Sequence, residues 1–114
     1  MSDCLFCKIA NGKTDTKLVY ENDNLAAFTD INPKAPVHIL IIPKKHISSL
    51  AETQSADFNL IGNLLQVAQK LAVQEKIDRS GYRVVLNNGK AAGQAVEHIH
   101  FHLLGGRDFT WPPG

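Results

Sequence analysis

Imidazole and apolar side chains alternate without a break over six residues near the end of the chain, from His98 to Leu103. A period of two is typical of a β-strand, in which successive side chains point to opposite faces. The pattern therefore predicts a strand over His98–Leu103, with the imidazoles of His98, His100 and His102 on one face. Neighbours on that face lie about 6.6 Å apart, which is close enough for three imidazoles to surround one phosphate-sized group.

Four other segments have the composition of strands. They are short, rich in β-branched or aromatic residues, and bounded by Asn, Asp, Gly or Pro. These segments are Lys17–Glu21, Leu25–Thr29, Val37–Ile42 and Tyr82–Leu86. Only Asn22, Asp23 and Asn24 separate the first two, and this short spacing predicts an antiparallel hairpin.

One long helix is predicted between Ser55 and Ile77. Apolar side chains recur there at helical spacing, namely at Phe58, Ile61, Leu64, Leu65, Ala68, Leu71 and Ala72. Ser55 is a candidate cap for the first turn, and Asp78 with Gly81 marks the exit. A helix after three strands and before two more predicts an α+β fold in which the helix packs on one face of the sheet.

Length and charge restrict the class of protein. The 114 residues, 44% of them hydrophobic, suffice for one compact domain, so a single domain over residues 1–114 is expected. Twelve Lys and Arg against eleven Asp and Glu give a net charge of +1, without the basic excess of a polynucleotide-binding domain. The longest apolar runs are far shorter than the roughly 20 residues of a membrane span, and the N-terminus does not read as a signal sequence. We therefore expect a soluble, cytoplasmic protein.

The histidine triplet allows two kinds of chemistry. A His-x-His pair on a strand can give two ligands to a catalytic metal, with a third ligand elsewhere. Alternatively, one imidazole can attack phosphorus and form a covalent intermediate that water later cleaves. The glycine-bearing segment Asn87–Gln94 precedes the strand and favours the second interpretation, because small residues let backbone amides approach an anion. Simple core filling is disfavoured, since each buried imidazole would need a hydrogen-bond partner.

The segment His98–Leu104 fits the signature of alternating histidines and apolar residues of the histidine triad (HIT) superfamily, which the chain resembles. Further segments resemble the HINT-like nucleotide-binding branch of that superfamily. They are Phe28–Pro33, Ala35–Pro36 with His38, Ile42–Ile47, Gly93–Gln94, Leu104–Arg107 and Trp111–Gly114. The resemblance implies a HIT fold: a five-stranded antiparallel sheet, one long helix and a short N-terminal helix, assembled as a homodimer. The closing Trp-Pro-Pro-Gly favours this branch over the dinucleoside polyphosphate hydrolases, which share the triad.

The resemblance also implies a function, the hydrolysis of purine nucleoside 5′-phosphoramidates to the nucleoside monophosphate. The central histidine, His100, would attack the α-phosphorus and form a nucleotidyl-histidine. The backbone carbonyl of His98 would orient the His100 ring, and His102 and His38 would contact phosphate oxygens and the leaving group. No catalytic metal is implied. Dinucleoside polyphosphate hydrolysis, and nucleotide binding or scaffolding with little turnover, are the alternatives.

A nucleotide-binding site follows from the same resemblance. Asp30 would accept both ribose hydroxyls, although an Asx cap of the turn before Pro33 is the other interpretation. The base would lie in an apolar slot made by Phe6, Ile9, Phe28 and Ile31, residues that could equally be plain core. The phosphate would be held by the segment that follows β-strand Tyr82–Leu86, through Asn87, Gly93, Gln94, Ala95 and Val96.

Two positions depart from the pattern of the family. Position 95 is alanine where a serine hydroxyl is common near the leaving group, and Asn32 also stands where serine is common. Ala95 removes a possible proton donor. Slower cleavage of basic amine leaving groups is therefore expected.

The cysteine pair Cys4 and Cys7 has C-x-x-C spacing. Two cysteines are too few for a secreted disulfide framework, and with His46 and His98 they could form a closed Cys₂His₂ site for a structural zinc ion. The family contains a Cys-bearing branch with such a site. Free thiols are a second interpretation, and a redox pair is a third that the lack of a preceding strand disfavours.

Overall fold

The computed structural model describes residues 4–114 and divides them into two helices and five strands. The helices are α1 (Leu5–Ala10) and α2 (Phe58–Gln74). The strands are β1 (Leu18–Glu21), β2 (Leu25–Thr29), β3 (Val37–Pro43), β4 (Tyr82–Leu86) and β5 (Phe101–Gly105). Single 3₁₀ turns occur at Leu50–Glu52, Ser55–Asp57 and Lys90–Ala92. No helix within residues 4–114 has the length and hydrophobicity needed to span a bilayer.

The five strands form one antiparallel sheet in the order β1-β2-β3-β5-β4. The predicted α+β class, the five-stranded sheet, the long helix and the short N-terminal helix are confirmed. The hairpin is confirmed as well, because Asn22 Oδ1 accepts the backbone N–H groups of Asn24 and Leu25 at 2.8 and 3.0 Å. The last strand in the sequence thus lies inside the sheet, between β3 and β4.

The predicted start of the last strand was wrong. β5 begins at Phe101, which pairs with Ile41 on one side and Leu86 on the other, and the segment His98–His100 precedes this ladder. The backbone N–H of Ile99 donates instead to the carbonyl of Ile47, at 2.6 Å. Side-chain alternation nevertheless continues through the irregular segment.

Smaller differences affect other boundaries. β1 begins one residue after Lys17, and its register with β2 shifts between Leu18 and Tyr20. β3 continues one residue beyond Ile42, to Pro43, which pairs with Leu25. Both differences concern strand ends.

Helix α2 is shorter than the predicted range of 55–77. A 3₁₀ turn occupies Ser55–Asp57, and the α-helix starts at Phe58. The predicted cap by Ser55 was wrong: the buried carboxylate of Asp57 accepts the N–H of Gln54 at 2.8 Å and also binds Lys45 Nζ at 2.6 Å. The helix ends at Gln74 because the chain passes through a left-handed residue, Lys76, at φ 61°.

The buried face of α2 is offset from the predicted stripe. Phe58 and Leu65 are 55% and 46% exposed, whereas Val67, outside the predicted stripe, is buried. On a helix of 3.6 residues per turn, Phe58 and Leu65 lie beside one edge of the buried arc and Val67 at the other edge. The other predicted positions are buried, namely Ile61, Leu64, Ala68, Leu71 and Ala72.

Each face of the sheet carries its own apolar cluster. On one face, α2 packs against odd-numbered residues of the central strands, such as Ile39, Ile41 and Leu103. On the other face, α1 packs through Phe6 and Ile9. Even-numbered side chains of β3 and β5 point to this second face, and His38 and His102 are among them. The histidines of β3 and β5 therefore lie on the face of the sheet that α1 covers.

Two glycines give opposite expectations for stability. A Cβ at Gly105, in β5, would lie 3.1 Å from Ile77 Cβ and closer still to its Cδ1, whereas a Cβ at Gly62 in α2 would meet nothing within 4 Å. We expect Gly105→Ala to lower the free energy of unfolding by about 1–3 kcal/mol through overpacking. Gly62→Ala, the matched control, should raise it by roughly 0.5–1 kcal/mol. Urea unfolding measures both, and equal effects of the two changes would contradict the packing described.

Candidate active site and metal centre

The three histidines of the triplet do not surround one common position. The His102 ring lies between those of His100 and His38, with centroid distances of 5.0 and 5.2 Å. The ring of His98 turns away toward His46, 5.0 Å between centroids, and toward the cysteine pair. The expectation that all three imidazoles face one phosphate-sized group was therefore wrong for His98, and the triplet serves two separate groups of residues.

The protonation of the His100 ring can be assigned from one hydrogen bond. His100 Nδ1 lies 2.7 Å from the backbone carbonyl oxygen of His98. A carbonyl only accepts hydrogen bonds, so Nδ1 carries a proton, and in the neutral ring the lone pair is on Nε2. The side chain is buried, and the Phe6 ring contacts it edge-on at 5.1 Å. This arrangement is the one that a nucleophilic imidazole requires.

A chain of hydrogen bonds likewise assigns His38 and His102. The backbone N–H of Lys34 donates to His38 Nδ1 at 3.0 Å, so the proton of a neutral His38 is on Nε2. His38 Nε2 lies 2.9 Å from His102 Nδ1 and donates to it. His102 Nδ1 is then an acceptor, and the proton of His102 is on Nε2. This series of hydrogen bonds therefore ends in one imidazole N–H, that of His102, on the side away from His38.

The rings of His38 and His102 are both neutral at pH 7. Burial, with the neighbouring His100 and His38, lowers the pKa of His102 to about 4. Burial also lowers the pKa of His38, and the opposing attraction of Asp30 is smaller. Neutral rings are what the hydrogen-bond assignment needs, because a cationic His38 could not accept the Lys34 N–H.

Asp30, His38 and His102 also place three potential metal ligands within 4.8 Å of one another. A metal on His38 Nε2 would require the proton to move to His38 Nδ1. That proton would then face the N–H of Lys34, two donors in contact at 3.0 Å. The Lys34 amide thus disfavours a metal at this position and favours the hydrogen-bonded chain.

A cavity of about 360 Å³ lies beside His100 and His102. Most of the predicted nucleotide-binding residues line it, namely Phe6, Ile9, Phe28, Asp30, Ile31, Ala95 and Val96. Leu5, Thr16 and Leu40 line it too and were not predicted. Leu40 could have been found, because alternation in β3 places it on the same face as His38. His38 is not among the lining residues, and its Nε2 lies 2.9 Å from His102 Nδ1.

Asp30 forms the predicted Asx turn and also faces the imidazoles. Its Oδ1 accepts the backbone N–H of Asn32 at 2.8 Å. Its Oδ2 lies 3.5 Å from His38 Nε2. The side chain is half-buried at the cavity wall, so the turn fixes a carboxylate there.

The side chain of Gln94 holds the segment before the triplet together through three hydrogen bonds. Gln94 Oε1 accepts the N–H of Gly89 at 2.8 Å, and Gln94 Nε2 donates to the carbonyls of Ser48 and Val96 at 2.7 and 3.0 Å. The predicted phosphate contacts Asn87, Gly93 and Gln94 do not line the 360 Å³ cavity, whereas Ala95 and Val96 do. Gln94 therefore holds the segment in shape, and only its last residues reach the cavity.

The second group consists of Cys4, Cys7, His46 and His98, whose donor atoms lie within 4.8 Å of one another. His98 Nδ1 lies 3.3 Å from Cys4 Sγ, 3.5 Å from Cys7 Sγ and 3.2 Å from His46 Nδ1. Tetrahedral zinc with bonds of about 2.0–2.1 Å to nitrogen and about 2.3 Å to sulfur has ligand-to-ligand edges of about 3.3–3.8 Å. The spacing and the donor set therefore fit a closed zinc site.

The second nitrogen of His98 supports the same conclusion. His98 Nε2 lies 2.8 Å from the carbonyl oxygen of Pro43, so Nε2 carries the proton and Nδ1 offers its lone pair to the cluster. Burial lowers the pKa of this fully buried ring, which keeps it neutral. A ligating histidine that donates its other N–H to a carbonyl is the usual outer-shell arrangement of metal sites.

A larger cavity, of about 670 Å³, borders the cysteine and histidine cluster rather than the imidazole pair. Cys4 and His46 line it, together with Ser48, Lys90 and Glu97. Of these two cavities, His100 and His102 line the smaller one, which is therefore the candidate active site despite its size. The larger cavity gives solvent a path to the cluster.

Comparison with known proteins agrees with the fold. The model of the HIT domain family matches residues 11–109. A 14 kDa zinc-binding protein of Zea mays is 47% identical over 115 residues, covering 99% of this chain and 89% of that protein. A crystal structure of a HIT family hydrolase from Legionella pneumophila is 52% identical with a TM-score of 0.96, covering 98% of this chain and all of that one. That of a histidine triad nucleotide-binding protein from Candida albicans is 35% identical with a TM-score of 0.83, covering 98% and 85% of the two chains.

Proposed function

Because this chain belongs to the HIT domain family, we propose that it hydrolyses purine nucleoside 5′-phosphoramidates to the nucleoside monophosphate. The observation that carries the proposal is the hydrogen bond from His100 Nδ1 to the His98 carbonyl. It leaves His100 Nε2 unprotonated at the wall of a cavity that also holds a carboxylate and an apolar slot. The HINT-like branch is the subgroup that we infer, since the Candida albicans relative is a nucleotide-binding protein.

The first chemical step forms a bond between His100 Nε2 and the α-phosphorus and breaks the bond from phosphorus to nitrogen. The amine leaves with the electron pair of that bond and takes a proton from solvent. The His100 ring becomes a cation because Nδ1 keeps its proton, and the His98 carbonyl stabilises that charge through the same hydrogen bond. Water then attacks phosphorus and breaks its bond to His100 Nε2, which regains the electron pair as the neutral ring. The monophosphate is released, and the proton lost by the water passes to solvent.

His102 stabilises the charge that develops on the phosphoryl oxygens. Its Nε2–H is the free donor of the hydrogen-bonded chain, and a donor that is already oriented costs no reorganisation during the reaction. His38 acts through His102 by holding its Nδ1, and Lys34 holds His38 through a backbone amide. His102 therefore contacts the phosphate, His38 orients His102, and Lys34 orients His38.

The nucleoside occupies the rest of the 360 Å³ cavity. The base packs among Phe6, Ile9 and Phe28, with Ile31 at the rim, where it is 98% exposed. Asp30 accepts the ribose hydroxyls through the carboxylate oxygen that the Asx turn leaves available. Apolar walls with one oriented carboxylate suit a mononucleotide better than a long polyphosphate.

A zinc ion is the cofactor that we propose for Cys4, Cys7, His46 and His98. Four protein ligands leave no open position for substrate, so the ion has a structural role. The zinc-binding protein of Zea mays is a relative with a matching description.

A homodimer is the assembly that we propose. Phe58, Leu65 and Val73 expose apolar side chains on the outer face of α2, and β4 is an edge of the sheet in residues 4–114. A second copy of this chain would cover this surface and the strand edge.

Removing the negative charge of Asp30 tests the ribose contact. We expect wild-type protein to favour a ribonucleoside phosphoramidate over its 2′,3′-dideoxy analogue by about 10–100-fold in kcat/KM, since hydrogen bonds to a charged group contribute about 1.5–3 kcal/mol. Asp30→Asn preserves the Asx turn through its amide oxygen but should lose most of this preference. Steady-state kinetics with both analogues measures it, and an unchanged preference in the variant would exclude Asp30 from ribose recognition.

Ala95 lines the active-site cavity but offers no proton to the leaving amine. We expect Ala95→Ser to accelerate cleavage of the more basic amines by about 10-fold or more, because a positioned donor contributes roughly 10²–10⁴-fold and this hydroxyl is not optimised. Leaving groups of low basicity should change little. The test is kcat across a series of amines, and no gain at its basic end would contradict the role of position 95.

Substrate class is tested by offering wild-type protein an adenosine phosphoramidate and a diadenosine polyphosphate side by side. Preferential release of adenosine monophosphate from the phosphoramidate is expected. Equal or better cleavage of the diadenosine compound would favour the polyphosphate hydrolases, and tight binding of both without turnover would favour a nucleotide-binding scaffold.

A further inference from the structure

The candidate nucleophile, His100, lies on a segment that has no hydrogen bonds in the ladder of the sheet. β5 begins at Phe101, so His98–His100 make no ladder hydrogen bonds with β3 or β4. The contacts that fix this segment are the bond from Ile99 N to the Ile47 carbonyl and the two bonds made by the nitrogens of the His98 and His100 rings. The position of His100 thus depends on ring hydrogen bonds and on the Ile47 carbonyl rather than on ladder hydrogen bonds of the sheet.

His98 belongs to both sites at once. Its ring nitrogen Nδ1 faces the thiols of Cys4 and Cys7 at 3.3 and 3.5 Å. Its backbone carbonyl accepts the proton of His100 Nδ1 at 2.7 Å. Any force that turns the His98 residue therefore moves the group that assigns the tautomer of His100.

Two further contacts run from the same cluster to the nucleophile. Cys4 caps α1, its Sγ accepting the N–H of Cys7 at 3.4 Å, and the intervening Phe6 packs edge-on against His98 and His100 at 6.0 and 5.1 Å. On the opposite side, the residue after His46 provides the carbonyl that binds Ile99 N. Three of the four ligands thus adjoin a group that touches the His98–His100 segment.

We propose that occupancy of the Cys4, Cys7, His46 and His98 site by a divalent metal positions His100 for attack, with His98 as the positioning residue. The inference rests on the proposed role of His100. The metal touches no substrate. It holds four side chains whose thiol sulfurs and imidazole nitrogens lie 3.2–3.5 Å from one another.

Occupancy can change in the folded protein, because the 670 Å³ cavity exposes Cys4 and His46 to solvent. The donor set of two thiolates and two imidazoles selects zinc over magnesium or calcium. The structure therefore links the availability of zinc to the geometry of a nucleophile that does not bind it.

The test compares zinc-loaded wild-type protein, the same protein stripped by a chelator, and Cys7→Ser, all labelled with ¹⁵N-histidine. Nitrogen chemical shifts of the His100 ring report the tautomer without substrate. We expect a single tautomer, protonated at Nδ1, in the loaded protein and a mixture of both tautomers in the other two. In single-turnover reactions, the rate of nucleotidyl transfer should fall by at least about tenfold while KM changes less, as expected for a misplaced reacting group.

Leu64→Ala is the matched control, because its loss destabilises the fold and Leu64 is neither one of the four ligands nor a residue that lines the 360 Å³ cavity. It should keep zinc and the Nδ1 tautomer. An unchanged His100 tautomer in the stripped protein, or an equal disturbance in Leu64→Ala, would overturn the inference. If the tautomer responds to zinc but no phosphoramidate is cleaved, the proposed function fails while the coupling to His100 stands.

Discussion

Replacing His100 with asparagine should lower the rate of phosphoramidate cleavage by on the order of 10⁴-fold, the cost typical of losing a nucleophile. The asparagine side chain carries an amide N–H close to the position of His100 Nδ1, so the His98 carbonyl keeps a donor. Because the cavity walls do not otherwise change, binding of adenosine monophosphate should stay within a few-fold of wild type. Single-turnover kinetics and calorimetric titration with the monophosphate measure the two effects separately.

The alternatives give different results for the same variant. A protein that only binds nucleotide would show no turnover in wild type or variant, and its affinity for the monophosphate would not change. A hydrolase in which water bound to a metal on Asp30, His38 and His102 attacks phosphorus would keep substantial activity without the His100 ring. Turnover within about tenfold of wild type would therefore exclude His100 as the nucleophile.

Replacing His102 with asparagine should reduce kcat by about 10²–10³-fold, the effect of removing one oriented donor from a developing oxyanion. The loss should fall on kcat more than on KM, because the hydrogen bond strengthens as charge builds up in the transition state. His38→Gln is the comparison, since His38 contacts His102 Nδ1 and does not line the cavity. We expect a smaller loss, roughly tenfold, from a less well oriented His102.

The relative size of the losses in His102→Asn and His38→Gln distinguishes the roles of the two histidines. A loss in His38→Gln as large as that in His102→Asn would mean that His38 itself touches the phosphate. A negligible loss in His102→Asn would leave the phosphoryl oxygens to backbone groups such as the amides at Ala95 and Val96.

Local sequence patterns predict the limits of some strands of this fold closely and those of others only approximately. The limits of β2 and β4 agree with the prediction to the residue. The start of β5 does not, because alternation of side chains only requires an extended backbone. Whether a residue joins the ladder depends on what its backbone meets, and for Ile99 that partner is Ile47, about 50 positions away in the sequence.

The orientation of α2 shows a similar limit. The helical period predicts an apolar face, but the edges of that face depend on the width of the surface it covers. Phe58 and Leu65 lie beyond one edge and Val67 within the other, and nothing local distinguishes them. An apolar surface reserved for a second copy of the chain would look the same in the sequence as core.

The candidate site was predictable in its residues and less so in its contacts. The apolar slot and Asp30 follow from the resemblance to the HIT family, and they meet around one cavity. The separation of His98 from His100 could not be read from the triplet, because the thiols that face His98 are about 90 positions away. The role of His38 depends on a single backbone amide, that of Lys34, which has no sequence signal.

Rapid quenching of wild-type protein with an adenosine phosphoramidate, followed by peptide mapping, asks directly whether a covalent bond to phosphorus forms. We expect the nucleotidyl group on one peptide, attached to Nε2 of His100, at an amount that rises and decays at the rate of turnover. Product formation with no protein-bound nucleotide at any time, or a label on His98 or His102 instead, would contradict the mechanism.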